Sequence, residues 1–188
     1  MAVCEGSPFP VTAVTVFPAR PVYHKHMENA PYQSCRECAL RPERLFCDLS
    51  ADALDAFDAV KNTVAVPRDT VLFREGQAAR GVFVVCEGRV RLTVCSDDGK
   101  RLLLRVAEPG EILGLSAVLS GTPFEITGQA IEPCQIAMVR RKDLVAFLRE
   151  HREACLQVVN LLSEDLHVAY DRVRSVGLGR TRKARVAI

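Results

Sequence analysis

Between Thr63 and Val139, short runs of β-forming residues are cut by turn signals: Pro67-Arg68-Asp69, Glu75-Gly76, Glu87-Gly88, Asp97-Asp98-Gly99, Glu108-Pro109-Gly110-Glu111, Ser120-Gly121 and Glu132-Pro133. A spacing of about 8 to 12 residues between turns points to a sandwich or barrel. Within it, Arg89 to Val94 alternates polar and apolar, turns through Ser96 to Lys100, and continues as Leu102-Leu103-Leu104, the sharpest hairpin in the chain. Upstream, Ser50 is a good N-cap for a short amphipathic helix running to Val60, with Leu54 and Phe57 on one face. Past Arg141-Lys142-Asp143 the pattern becomes helical to about Val176. Alternating steps of four and three pick out Leu148, Arg152, Cys155, Val159, Leu162, Leu166, Ala169, Val173 and Val176, all but Arg152 apolar. A second apolar row, Leu156, Val158, Leu161 and Val168, lies beside it. One row suits a partner helix and the other the barrel; the simpler alternative packs the whole helix on its own domain.

A chain of 188 residues leaves room for one ordinary domain plus an accessory element. With 48% hydrophobic residues it can bury a sizeable core, and no apolar run approaches the roughly 20 residues needed to cross a bilayer. A net charge of +2 selects neither nucleic acid nor acidic lipid. The eight cysteines fall below the density of a disulfide scaffold, and the N-terminus has no secretory pattern. The expected compartment is the cytoplasm, where reduced thiols are buried hydrophobes or metal and redox ligands. Residues 1–34 hold five prolines and read as an irregular or disordered arm, with Met27 an alternative start.

A glycine-punctuated β-roll with a short helix before it and a long heptad helix after it resembles the sensor half of Crp/Fnr transcriptional regulators. The resemblance covers about residues 35–188. Four segments carry it, in order: Leu72-Phe73-Arg74-Glu75-Gly76, Gly81 to Val90, Asp97-Asp98-Gly99-Lys100 and Pro109 to Gly114. It implies a mainly β fold with helices, a cyclic-nucleotide-binding-like double-stranded β-helix (jelly roll) followed by a long dimerisation helix. The expected organisation is the arm at 1–34, a cysteine segment and short helix at 35–60, the β-roll at 61–146, the dimerisation helix at 147–178, and at 179–188 the opening of a truncated helix-turn-helix domain. The implied partner is a second copy, through Leu148, Cys155, Val159, Leu162, Leu166, Ala169 and Val173. DNA would be a partner only with the reading head restored, and no membrane is expected. The six basic residues between Arg172 and Ile188 suit a segment near phosphate or, equally, a solvated end.

Family members that bind cyclic AMP use a Gly-Glu pair for the ribose and an Arg-Ser pair for the phosphate. Gly114-Leu115 and Phe124-Glu125 stand at the matching positions. Leu115 accepts no hydrogen bond and Glu125 repels phosphate, so no cyclic nucleotide is expected. Cys35-Arg36-Glu37-Cys38, followed after eight residues by Cys47, resembles instead the N-terminal cysteine group of the oxygen-sensing Fnr branch. That resemblance implies a [4Fe-4S] cluster on Cys35, Cys38 and Cys47, with Cys134 the nearest candidate for the fourth ligand, although Ala137 occupies the family's ligand position. Arg36, Arg41 and Arg44 favour the thiolate form; zinc, thiol redox switching and no ligand at all stay open beside the cluster. Cys134 reads more readily as a core residue than as a ligand. Cys86, sharing parity with Val84, Val90 and Leu92, reads as core, Cys155 as a heptad position and Cys95 as a strand end facing water. Cys4 falls in the arm. A cupin enzyme would need histidines on barrel strands, and His24, His26, His151 and His167 all lie elsewhere. No enzymatic activity is expected. A stand-alone sensor or interaction module without DNA binding is the alternative.

Overall fold

The computed structural model describes residues 34–36, 38, 49–96 and 99–183, with the side chains of the last helix described to residue 175. The expectations for the arm, for Cys4, Cys47, Arg41 and Arg44, and for the last five residues fall outside the described residues.

Ser50 caps helix α1 (Ala51–Val60), its hydroxyl accepting from the Ala53 N–H at 3.4 Å. Eight strands follow: β1 (Asn62–Val66), β2 (Val71–Phe73), β3 (Gly81–Glu87), β4 (Val90–Cys95), β5 (Arg101–Ala107), β6 (Ile112–Leu113), β7 (Thr127–Ala130) and β8 (Cys134–Arg140). A two-turn helix, α2 (Leu115–Ser120), interrupts them; α3 (Arg141–Glu150) and α4 (Arg152–Lys183) come last. The strands form two antiparallel sheets, in the orders β1-β8-β3-β6 and β2-β7-β4-β5, so the expected eight-stranded jelly roll with a long helix behind it is the fold observed.

The period of two along each strand divides the core between the two faces of the first sheet. Phe83, Val85, Ile136 and Met138 point between the sheets, meeting Phe73, Val90, Leu92 and Phe124. Val82, Val84, Ala137 and Val139 point the other way and are roofed by Leu54 and Phe57 of α1, Val118 of α2, Leu144 and Phe147 of α3, and Ala154 and Val158 of α4. The β4–β5 hairpin closes with Gly99 donating to the Ser96 carbonyl at 2.8 Å and at φ +80°, the left-handed region glycine enters without strain.

The helical tail is two helices. His151 is extended (φ −114°, ψ 92°), its N–H closing α3 on the Phe147 carbonyl at 2.9 Å. Leu148, expected at the head of the dimerisation helix, therefore belongs to α3 and packs against the domain's own core. Heptad spacing runs through the break because no proline or glycine marks it. Of the second apolar row, Val158 is buried and Leu161 partly so, whereas Leu156 and Val168 are exposed; Ala154 provides the buried contact instead. Among the described residues no helix is long and apolar enough to cross a membrane.

Candidate thiol site and the altered nucleotide pocket

The cysteine segment is fixed to α1. The Cys35 N–H donates to both carboxylate oxygens of Asp58, at 2.9 and 3.2 Å, and the Ser34 hydroxyl donates to the same carboxylate at 2.9 Å. Lys61, just past the end of α1, bridges to Asp58 at 2.6 Å and donates to the Cys35 sulfur at 3.0 Å. Arg36 reaches back along α1 to Asp55. Only 2% of the Lys61 side chain is exposed, so the ammonium is held by these partners and not by water. Burial works against its charge, but the bonds to Asp58 and Cys35 prevail and push its pKa up. Asp58 is likewise held below its usual range, its hydrogen bonds from Cys35, Lys61 and Ser34 outweighing burial. Burial, then the hydrogen bond to Asp58, pushes the Cys35 thiol up to about 12 against the opposing pull of Lys61. In this state Cys35 is a protonated thiol and a poor nucleophile.

The same helix is joined to α4 at its other end. The Ser50 N–H donates to the Glu153 carboxylate at 3.2 Å, and the Ser50 hydroxyl binds the same oxygen.

Of the remaining described cysteines, Cys38, Cys86, Cys134 and Cys155 are free thiols and Cys95 is disulfide-bonded, and they separate by face. Cys134 is 3% exposed and lies between the sheets, 3.4 Å from the Arg89 carbonyl and 3.2 Å from that of Glu132. Gly88 is obligatory beside it: its φ is +81°, and a Cβ at this position would stand only 2.6 Å from the Cys134 sulfur, so no larger residue fits. Cys86 is not part of the row between the sheets: it is half-buried and packs on the helix side, with Cys35 in the same cluster. Cys38 is half-buried, Cys95 closes β4 half-buried with its N–H on Glu75 at 2.9 Å, and Cys155 is exposed on α4. Among the described residues no three cysteine, histidine or acidic side chains converge closely enough to hold a metal ion. Cys35 and Cys86 pack against the same helix-side cluster, and on that face the Thr63 hydroxyl oxygen is buried without a hydrogen-bond partner.

At the pocket where a nucleotide would lie, Leu115 is 6% exposed and faces the core. The Phe124 ring is 2% exposed, 4.5 Å from Phe73, and lies where a Cβ on Gly114 would meet it at 2.6 Å. Glu125 is exposed, with Ser116 at 3.5 Å. Leu115 thus packs in the helix-side core and Phe124 in the core between the sheets, with the Glu125 carboxylate exposed beside Ser116. On α4, Cys155, Val159, Leu166, Ala169 and Val173 are exposed, whereas Leu162 is partly buried against the core.

Residues 63–151 match the cyclic nucleotide-binding domain family, and similar curated proteins include the transcriptional activator protein anr of Pseudomonas aeruginosa, 28% identical over 140 residues. The chain carries a cyclic nucleotide-binding domain with Crp/Fnr-family homologues. The match to anr covers 72% of this chain and 56% of anr, so the chain spans about half the length of that relative. Among solved structures, the domain is similar to the sensor domain of the transcriptional regulator DNR from Pseudomonas aeruginosa, with a TM-score of 0.59 and 24% identity over 70% of this chain and 89% of that one. It is also similar to the Thermus thermophilus catabolite activator protein, with a TM-score of 0.66 and 22% identity over 71% of this chain and 62% of that one. These two likenesses speak for the fold of the domain.

Sequence reasoning missed the Asp58–Lys61 pair. Its signal was a lysine following directly on an amphipathic helix, on the face of Leu54 and Phe57, where a charge has to find a buried partner.

Proposed function

We propose that this chain is the sensing and dimerising portion of a Crp/Fnr-type transcription regulator, without enzymatic activity, that responds to oxygen or redox state through Cys35, Cys38 and Cys47 and not to cyclic AMP. The observation that carries this reading is the continuous path from thiol to long helix: Cys35 on Asp58 and Lys61, α1 between, and Ser50 on Glu153 of α4. A change in the segment that displaces the Cys35 N–H from Asp58 alters how α1 is held, and α1 holds the first turn of α4. The energy required is modest, since a tenfold shift between two states takes about 1.4 kcal/mol. Similarity to a transcriptional activator supports the regulatory assignment. A [4Fe-4S] cluster on these cysteines would supply an oxygen-labile centre. Lys61 would then donate its N–H to the Cys35 sulfur, and α1 would orient the segment.

The dimer is the second part of this proposal: two copies of α4 meet along Cys155, Val159, Leu166, Ala169 and Val173, with Leu162 at the margin and Leu148 outside the seam. DNA binding would require a helix-turn-helix domain joined to this portion.

Anaerobic reconstitution with iron and sulfide is expected to give a brown protein that bleaches in air, and Cys38→Ser is expected to stay colourless. A colourless wild-type protein overturns the reading. Cyclic AMP and cyclic GMP are expected to leave thermal unfolding unchanged, because Leu115 and Phe124 are buried apolar side chains that offer no polar partner and Glu125 repels phosphate. A nucleotide present at a hundredfold its Kd would add about 2.7 kcal/mol, so a clear upward shift at millimolar nucleotide contradicts this part.

A further inference from the structure

We propose that Cys35 and Lys61 form a reversible covalent bridge, Sγ–O–Nζ, in which one oxygen atom taken from dioxygen joins the thiol sulfur to the lysine nitrogen. The inference deepens the reading of Cys35 as a residue that answers to oxygen. It involves no metal, because the bridge forms in the iron-free chain.

Two charged pairs on one helix make the comparison. Arg36 and Asp55 meet on the outside of α1, their side chains 47% and 55% exposed. Asp58 and Lys61 are only 10% and 2% exposed. A surface pair costs little, whereas a buried pair gives up the solvation of both charges. Helix stability is therefore no reason to bury Lys61. What the burial achieves is an approach to sulfur: Nζ stands 3.0 Å from Cys35 Sγ and 2.6 Å from the Asp58 carboxylate. The sulfur is held there, because the Cys35 N–H and the Ser34 hydroxyl both donate to that same carboxylate. An oxidised cysteine sulfur is readily captured by a thiol or nitrogen beside it. One bridging oxygen spans this gap with little movement of either side chain, whereas a direct S–N bond would require the two to be drawn much closer. Cys134 and Cys86 face carbonyl oxygens instead, at 3.2 and 3.4 Å for the first and 3.9 Å for the second, and a carbonyl cannot take part in such a bond.

The step balances with dioxygen as the sole oxidant. Thiol, ammonium and dioxygen give the S–O–N bridge, one water and one proton. The S–H bond, two N–H bonds and the O–O bond break, while one S–O and one N–O bond form. Sulfur and nitrogen each give up two electrons, and these four reduce both oxygen atoms, one of which leaves as water. The proton passes to Asp58, which faces Nζ and delivers it to solvent at its exposed edge. Two equivalents of a dithiol supply the four electrons that restore thiol, amine and water. The surroundings hold Lys61 as an ammonium and Cys35 as a thiol, so the bridge builds up slowly and registers sustained aeration. Once formed, it removes the cation beside Asp58 and ties the cysteine segment covalently to the end of α1.

The test exposes reduced, iron-free wild-type protein to air-saturated buffer, alkylates the remaining thiols under denaturing conditions and reads the product by mass spectrometry. The main product is expected to gain one oxygen and lose two hydrogens, to yield on digestion a species joining the Cys35 peptide to the Lys61 peptide, and to return to its starting mass with a dithiol. Lys61→Arg keeps a cation for Asp58 but has no amine, and is expected to give no such product. Thermal unfolding of the reduced variant checks that it folds; should it not, the joined peptide of the wild type decides alone. Cys35 recovered from aerated wild type as an alkylated thiol, a disulfide or a sulfinic acid, with Lys61 unmodified, overturns the inference, as does the same mass change in Lys61→Arg. Reconstitution with iron separates the two readings. A wild type that stays colourless overturns the cluster and leaves the bridge, whereas a brown protein whose iron-free form stays unbridged in air overturns the bridge alone.

Discussion

Phe73→Ala is expected to be the most damaging single truncation in the domain, lowering stability by about 3 to 5 kcal/mol. Phe73 is 1% exposed and lies between two other rings, 5.2 Å from Phe83 and 4.5 Å from Phe124. Its own edge rests on the bare backbone of Gly128, where a Cβ would come within 2.6 Å of the ring. A cavity there is walled by strands of both sheets, and neither can close on it without breaking its ladder. Domains are stable by only about 5 to 15 kcal/mol, so the variant should unfold at markedly lower urea, with its thermal midpoint about 10 °C lower. Leu102→Ala, at a β5 position that is 61% exposed, should change stability by less than about 0.5 kcal/mol. A loss under about 1 kcal/mol for Phe73→Ala would show that the three rings are not the centre of the core.

Leu166→Asp is expected to convert a dimer to a monomer without unfolding the β-roll. Leu166 is 52% exposed on α4, and Val159 and Val173, one heptad to either side, are exposed as well. Burying a leucine contributes about 1.5 to 3 kcal/mol, and a symmetric seam contains it twice. Replacing both with carboxylates therefore weakens association by about 5 kcal/mol, or more than a thousandfold in Kd. Sedimentation across a micromolar concentration series reads this directly, and an unchanged urea midpoint for the β-roll separates dissociation from unfolding. Wild-type protein that sediments as a monomer throughout would remove the seam from the proposal. Leu162 is the poorer probe because it also packs against its own domain.

The β-roll was legible because its turns are written in residues with narrow conformational demands: Gly88, Gly99 and Gly110 all take positive φ where the chain reverses. Heptad spacing likewise exposed the stripe on α4. What stayed hidden depended on geometry that spacing does not encode. The break at His151 uses an ordinary residue in an extended conformation, so the periodicity passes over it. Counting in twos groups Cys86 with Val84, Val90 and Leu92; Val84 does share its helix-side face, but the chain changes sheets at Gly88, which resets the count for Val90 and Leu92. The lysine and aspartate that hold Cys35 come from positions 26 and 23 residues away, a tertiary contact with no local pattern.

The Arg172 guanidinium donates to the Leu104 carbonyl of β5 at 3.2 Å. Together with the Glu153 contact to Ser50, this pins α4 to its own domain at two points. Nineteen residues at 1.5 Å each put those points about 28 Å apart. The helix is then a beam supported at its first turn and again about two-thirds of the way along, not a cantilever rooted only at its base. A load applied at the α1 end tilts it about the β5 support, and a shift of the β4–β5 hairpin moves the far half first. Inputs arriving at the two contacts would therefore add along the same helix, with leverage set by distance from the other contact.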